Sequence, residues 1–460
     1  MSRAQAPARS AGASCMALIG AIAGVLAGSP HPANAQEFPV ERDSLANGLQ
    51  ILLAPDHSVP SVCLAVVFHA GSKNERPGIT GIAHLFEHMM FNGSARYAPK
   101  QFDQILERGG GHSNAFTTKD ITLYFEEFNP DLLPKAIDME ADRMRALKID
   151  SENLEQERGI VAEERRMRVD DVPRGKLGEE LDAVAFDSHP YSQPVIGWMS
   201  DIKGISVEDC KSFFRTYYAP NNAVLCVVGD FDPAAVRPLL KQAFGDIPAQ
   251  APPAPVRESE DPQTGERRLT VELTAEQPAV ALSYHMVARR DPDYLAYDLL
   301  SSILGSGESS RLFRDLVYDQ QVASGAAAWI DGTEHQGLLT LWADVIPGKT
   351  PEQTIARIDA VIAELVTKGV TKEEVDKARN QALASQARQL TTNGDRAVEL
   401  LIAELMDGDY QRIFRLARDY DRVTAADVDR VARARLTPQN RTIGVLVPKD
   451  DTASLEGGEK

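Results

Sequence analysis

Apolar residues between positions 48 and 69 fall in two short blocks, 51–54 and 62–68, with the polar segment 56–60 between them. Short apolar blocks bounded by turn residues predict two strands. A glycine-containing loop follows, and the spacing then changes to helical intervals, with Leu85, Phe86, Met89, Met90 and Phe91 forming one apolar side. Residues 100–108 predict a short helix stopped by Gly109, Gly110 and Gly111, and 121–128 alternates as a strand. Residues 134–147 are amphipathic, with Ile137, Met144 and Leu147 apolar and Glu140, Asp142, Arg143 and Arg145 polar; a second long helix is predicted over about 151–169. After the proline-rich stretch 248–255 and a polar run to Glu266 the pattern restarts, with strands across 268–287 and a helix over 291–304. The restart implies an old duplication, and the break implies a linker over 248–266 between an N-terminal unit, 36–247, and a C-terminal unit, 267–460.

Residues 1–35 follow a different rule. Arg3 and Arg9 precede an apolar run over 15–27, and Ala33 and Ala35 offer a small-residue cleavage site, so a signal peptide cleaved after Ala35 is expected. No other stretch approaches membrane length, and the expected location is the periplasm of a Gram-negative bacterium. The chain carries 49 basic and 67 acidic side chains, a net charge of −18. Losing the leader's two arginines makes it more acidic still, which excludes nucleic acid as a natural partner. Of four cysteines, Cys63, Cys210 and Cys226 remain, all in apolar segments. A Cys210–Cys226 bridge is possible; buried free thiols are the default expectation.

The candidate chemistry sits on the first helix. His84 and His88 are four residues apart and share a face, close enough for both imidazoles to reach one zinc ion, with Glu87 beside them to move a proton. His84-x-x-Glu87-His88 is the zincin pattern written backwards. An amphipathic helix with two histidines on its polar edge would look the same, and two ligands do not make a stable zinc site. A third is sought downstream, where Glu157 and Glu164 are seven residues apart, close to two helical turns, and so project from one side while Glu163 is turned about 100° away. Glu164 would be the third ligand and Glu157 a carboxylate orienting a histidine or the water; the alternative is an acidic solvent face paired with Arg158, Arg165 and Arg168.

Taken together, Gly81-x-Ala83-His84-x-x-Glu87-His88, then Gly109 to Thr117, then Glu157-Arg158-x-x-Val161-x-x-Glu164 resemble the pitrilysin-type, inverted-zincin metallopeptidases, a family that includes the mitochondrial processing peptidase. His189 to Gly197, Tyr218 to Asp230 and Ser310 to Phe313 match as well. The resemblance implies an α+β fold of two similar rolls, each a mostly antiparallel sheet with helices on one side, together one half of a clam-shell peptidase. It implies one Zn²⁺ per chain on His84, His88 and Glu164, with Glu87 and Glu157 catalytic. Asn114 and Ala115 would belong to the strand that receives substrate as an added strand, whereas His112 is read as a surface histidine. The implied activity is zinc-dependent endopeptidase action on peptides or unfolded segments in an enclosed chamber; the alternative is a non-catalytic assembly subunit.

One departure bears on partners. Active members of the family place an arginine and, seven residues later, a tyrosine in the second half-shell to hold substrate and steady the oxyanion. Val317 and Ser324 occupy those positions here, and Tyr318 is out of register. A heterodimer with a paralogue carrying the arginine and tyrosine is therefore expected, with a homodimer as the alternative.

Overall fold

Two sheets of one design carry the chain. In the computed structural model, which describes residues 37–449, β1 (Glu41–Ser44), β2 (Gln50–Pro55), β3 (Val62–Phe68), β4 (His112–Thr117), β5 (Thr122–Phe128) and β6 (Ala223–Gly229) form a sheet in the order β1-β2-β6-β3-β5-β4. β7 (Arg267–Leu273), β8 (Ala279–His285), β9 (Ala323–Ile330), β10 (Leu338–Val345) and β11 (Arg441–Pro448) form the second, ordered β7-β11-β8-β10-β9. With β1 set aside the two orders superimpose strand for strand. Each contains one parallel pair, β2 with β6 and β7 with β11, and the other pairings are antiparallel. The helix after β3, Ile82–Met89, and the helix after β8, Tyr294–Gly305, hold equivalent places. Residues 248–264 between the sheets carry no regular secondary structure. The leader and its cleavage site lie outside the described residues.

β3 is buried on both faces, and its two-residue period sorts its side chains into two cores. Val62, Leu64, Val66 and Phe68 pack with the helices of their own half, including Leu85 and Phe86 of the His84 helix. Cys63, Ala65 and Val67 point the other way, against Leu400 and Leu401 of the helix Asn393–Ile402, which belongs to the second half. The exchange is reciprocal. Leu177 and Leu181, from the helix Pro173–Ala185 of the first half, cover Ala279, Ala281, Trp342 and Leu446 on the second sheet. Each roll thus keeps its own helices on one face and receives a helix from the other half on the opposite face. Burying a leucine in this way contributes about 1.5–3 kcal/mol, so each half stabilises the other.

The amphipathic pattern of 134–147 requires a correction. The helix forms, Leu133–Ala146, but Glu140, Asp142 and Arg143 are buried and do not make a solvent face. Arg143 donates to Glu126 at 2.9 Å and pairs with Glu140, and its guanidinium lies 4.6 Å from the Phe102 ring and 4.9 Å from Tyr124. Burial, reinforced by Glu140, pushes the Glu126 carboxyl well above the usual range. Asp142 accepts from Ser94 Oγ and from the Arg96 backbone and side chain. A buried charge survives only with such partners; Glu140 is one helical turn away, but Glu126, Ser94 and Arg96 come from segments that a helical period cannot reveal.

Cys63, Cys210 and Cys226 are free and buried. Cys226 packs on the sheet face that holds Cys63, and Cys210 in the core on the opposite face. The sheet therefore separates Cys210 from Cys226, and they do not form a bridge. Among the described residues no helix is long and apolar enough to cross a membrane.

Candidate metal centre

The His84 helix begins abruptly. Gly81 adopts φ +88 at its N-cap, and a Cβ there would meet the Ile196 carbonyl oxygen at 2.4 Å, so the start of the helix abuts the backbone at Ile196 and Gly197 at a distance only glycine allows. With no side-chain cap of its own, the helix is capped by Glu75, whose carboxylate accepts from the N–H groups of Gly81 at 2.7 Å and Ala83 at 2.8 Å. Glu75 is buried, and burial pushes its carboxyl well above the usual range even though both N–H groups oppose the shift. Asp201 accepts from Gly78 and Thr80 just upstream. The start of the helix is thereby tied to the adjacent loop through Glu75 and to the distant stretch 196–201.

The second helix runs Ser151–Arg165, with Asp150 at its N-cap accepting from the Asn153 N–H. A wider turn, Arg166–Asp170, continues it, so the predicted span of 151–169 is one helical rod whose last turn is loosened. Glu164 Oε2 lies 3.1 Å from His88 Nε2 and 3.8 Å from His84 Nε2, and one donor atom from each of the three side chains falls within 4.8 Å of the others. Two nitrogens and an oxygen around a tetrahedral zinc, each about 2.0–2.1 Å from the ion, would be separated by about 3.4 Å. The observed separations bracket that value, so these residues fit the ion. His84 is buried, and burial followed by the neighbouring His88 charge lowers its pKa to about 3; a neutral imidazole is the form that binds metal. Burial also opposes charge on His88, but the hydrogen bond it donates to Glu157 and the carboxylates of Glu164 and Glu87 outweigh it and raise its pKa.

Glu157 stands behind the site and holds His88. Its Oε2 is 3.4 Å from His88 Nδ1, and its other oxygen accepts from Asn92. With Nδ1 engaged, Nε2 faces Glu164. Glu163 points away, 60% exposed and paired with Arg166, as the two-turn spacing requires. Glu87 lies next to the three donors and accepts from Thr117 Oγ1 at 2.6 Å. Burial raises its pKa, and the Thr117 hydrogen bond pulls in the opposite direction.

Thr117 ends β4, the edge strand of the first sheet. Asn114 and Ala115 lie on this strand, and the Ala115 N–H bonds to the Asn114 side chain at 2.9 Å and faces away from β5. Both residues line a cavity of about 990 Å³ together with His84, Glu87, His88 and Glu164. His112 is exposed at the start of the strand. The sequence assigns no role to Glu75, Asn92 or Thr117; Arg168, expected only as an ion-pair partner of an acidic face, reaches Glu164 Oε1 at 2.9 Å. Only Arg168 carried a legible signal, being four residues from Glu164.

Fold and site define a class: paired α+β rolls with an inverted His-x-x-Glu-His helix beside an open sheet edge. The chain belongs to the M16 peptidase family. Residues 50–198 match the family described as "Insulinase (Peptidase family M16)" and residues 204–382 its "Peptidase M16 inactive domain". The chain is 32% identical over 422 residues to the zinc protease PqqE of Helicobacter pylori, covering 90% of this chain and 95% of that one. A probable mitochondrial-processing peptidase subunit beta of Arabidopsis thaliana is 24% identical, covering 93% and 81%. Among solved structures, a protease from Helicobacter pylori superimposes with a TM-score of 0.85 at 31% identity, over 89% of this chain and all of that one. The periplasmic protease PqqL of Escherichia coli shares the fold at a TM-score of 0.74 and 18% identity; 92% of this chain covers 49% of it.

Proposed function

We propose that the chain is the zinc-bearing subunit of an exported peptidase that hydrolyses peptides or unfolded segments. The observation that carries the reading is the convergence of His84, His88 and Glu164 donor atoms beside Glu87, at the open edge of β4. Relatives bearing the name zinc protease support it. His84, His88 and Glu164 would hold one zinc ion, which supplies Lewis acidity toward the scissile carbonyl and toward water. The chain's own groups do the rest. Glu157 holds the His88 ring through Nδ1, and Glu87 takes a proton from water and returns it to the leaving amide nitrogen. The peptide backbone adds to β4 as an extra strand, with the Ala115 N–H among the groups it meets.

The oxyanion partner is the missing part. Val317 packs against the second core, Ser324 Oγ is bonded to Gln277 and to the Asp344 carbonyl, and the exposed Tyr318 hydroxyl reaches Glu308. None of these supplies the arginine–tyrosine pair, so we assign it to a paralogous chain that lacks the zinc motif. A homodimer would rely on the metal and backbone groups alone. The experiment is an assay of the purified chain with and without that paralogue: weak activity alone, strong activation by the mixture, and a loss when the paralogue's tyrosine becomes phenylalanine. Full activity of this chain alone, unaltered by the paralogue, refutes the division of labour.

A further inference from the structure

Away from the cavity, a set of shielded charges joins the two halves. The loop 331–337 between β9 and β10 of the second half packs on the turn 118–121 that joins β4 to β5 in the first. Lys73 is buried and pairs with Asp120 of its own half at 2.8 Å and with Glu334 of the other. Lys119 pairs with Asp182 of its own half at 2.8 Å and with Asp331 of the other at 3.5 Å. Each lysine therefore holds one carboxylate from each half. One would neutralise it, and the second is a link. The Glu334 N–H donates to Asp120 at 3.1 Å, and the His335 N–H donates to the Tyr191 hydroxyl, which itself donates to Asp120 at 2.6 Å. Burial opposes charge on Glu334, but the bond from His69 and the Lys73 charge outweigh it and hold its carboxyl well below the usual range. Removing one partner from such a cluster leaves a charge uncompensated, which is costly.

The clamped turn adjoins the chemistry. Thr117, whose hydroxyl bonds to Glu87, immediately precedes it, and β4 lies at the sheet edge with β5 as its neighbour, so the placement of its Thr117 end depends on the turn. The stretch that carries Lys73 lies against the same turn, since a Cβ on Gly71 would meet the Asp120 backbone nitrogen at 2.5 Å. Two residues beyond Lys73, Glu75 caps the His84 helix. We propose that Asp331 and Glu334 are positioning residues for the metal centre, acting through Lys119 and Lys73 to fix the turn 118–121 and with it Thr117, Glu87 and the open edge of β4. The second half, which carries none of the three candidate ligands, then contributes to the reaction by holding the first in place. This deepens the peptidase reading and rests on it.

The test uses the zinc-loaded full chain with Asp331→Asn and Glu334→Gln combined, which keep the size of both side chains and remove their charges. Hydrogen exchange read by mass spectrometry should show residues 112–121 opening at least about tenfold more often than in the natural chain, since a hydrogen bond to a charged group is worth at least that factor, while zinc content stays unchanged. With the paralogue present, KM for dye-labelled unfolded casein should rise about tenfold, because a loosened edge pairs less well with the peptide. Leu365→Ala, which opens a gap in the second core without altering the loop, is the comparison: it should lower the amount of folded enzyme, and so apparent kcat, with KM at its natural value. If the double variant does not fold, Glu334→Gln alone, which leaves Lys73 paired with Asp120, should move exchange and KM in the same direction. Unaltered exchange at 112–121, an unaltered KM, or a KM raised equally by Leu365→Ala overturns the inference and leaves the peptidase reading standing. A natural chain that binds no zinc, or that hydrolyses no casein with the paralogue present, sinks that reading and this inference with it.

Discussion

His84 and His88 sit on one helix face yet are held differently. His88 Nδ1 is fixed by Glu157, which is itself fixed by Asn92, whereas His84 Nδ1 is buried and has no hydrogen-bond partner among the described residues. Glu87 is placed by its helix and by Thr117. Replacing Glu87 by Gln should leave the fold and zinc content intact while peptide hydrolysis falls by a factor of about 10² or more, the usual contribution of a positioned proton-transfer group; unchanged turnover would remove Glu87 from the mechanism. Thr117 provides a subtler check. Its hydroxyl stabilises the ionised carboxylate against burial, so Thr117→Val should raise the Glu87 pKa further. A base works only when ionised, and activity is lost as pH falls through its pKa. The acid limb of the kcat/KM profile should therefore move to higher pH in the variant, and a limb that stays put or moves down contradicts the assignment.

At the scale of elements, β4 is the edge strand that ends at Thr117 beside Glu87, and the proposed function has it receive the substrate. The Ala115 N–H is satisfied locally by Asn114 and not by β5, which leaves it open to an incoming strand. Ala115→Pro removes that donor without removing a β5 ladder bond. It should raise KM about 2- to 10-fold, the worth of one hydrogen bond, with zinc retained; an unaltered KM would mean that the peptide docks elsewhere. Much of the chemistry of the helices Ile82–Met89 and Ser151–Arg165 was legible in sequence because it depends on local period: four residues bring His84 over His88, and seven bring Glu157 into line with Glu164. The helix over 133–146 was legible as a helix but not as a buried one, since the groups that neutralise Arg143 and hold Asp142 lie on β5 and in the loop at 94–96. Periodicity reports that a face is polar. Whether that face meets water is decided by what packs on it.

For the whole molecule, the decisive feature is the exchange of helices between rolls, which no local pattern announced. In the helix Pro173–Ala185 only Leu177, Leu181 and Ala185 are buried, so in sequence it resembles an ordinary surface helix, and the sheet it covers begins eighty residues or so further on, a distance across which sequence period carries no information. The exchange predicts that the halves unfold together. Trp198 reports on the first half and Trp329 and Trp342 on the second, so urea unfolding followed separately in Trp198→Phe and in the double Trp329→Phe, Trp342→Phe variant should give coincident transitions, and Leu177→Ala should lower both by about 2–5 kcal/mol. Two separated midpoints would mean independent rolls. The claim on which the account rests is metal binding by three named side chains, and zinc per chain after equilibrium dialysis measures it directly. We expect one zinc in the natural chain and in Glu163→Gln, and loss of zinc in Glu164→Gln; loss in Glu163→Gln with retention in Glu164→Gln, or no zinc in the natural chain, would contradict it.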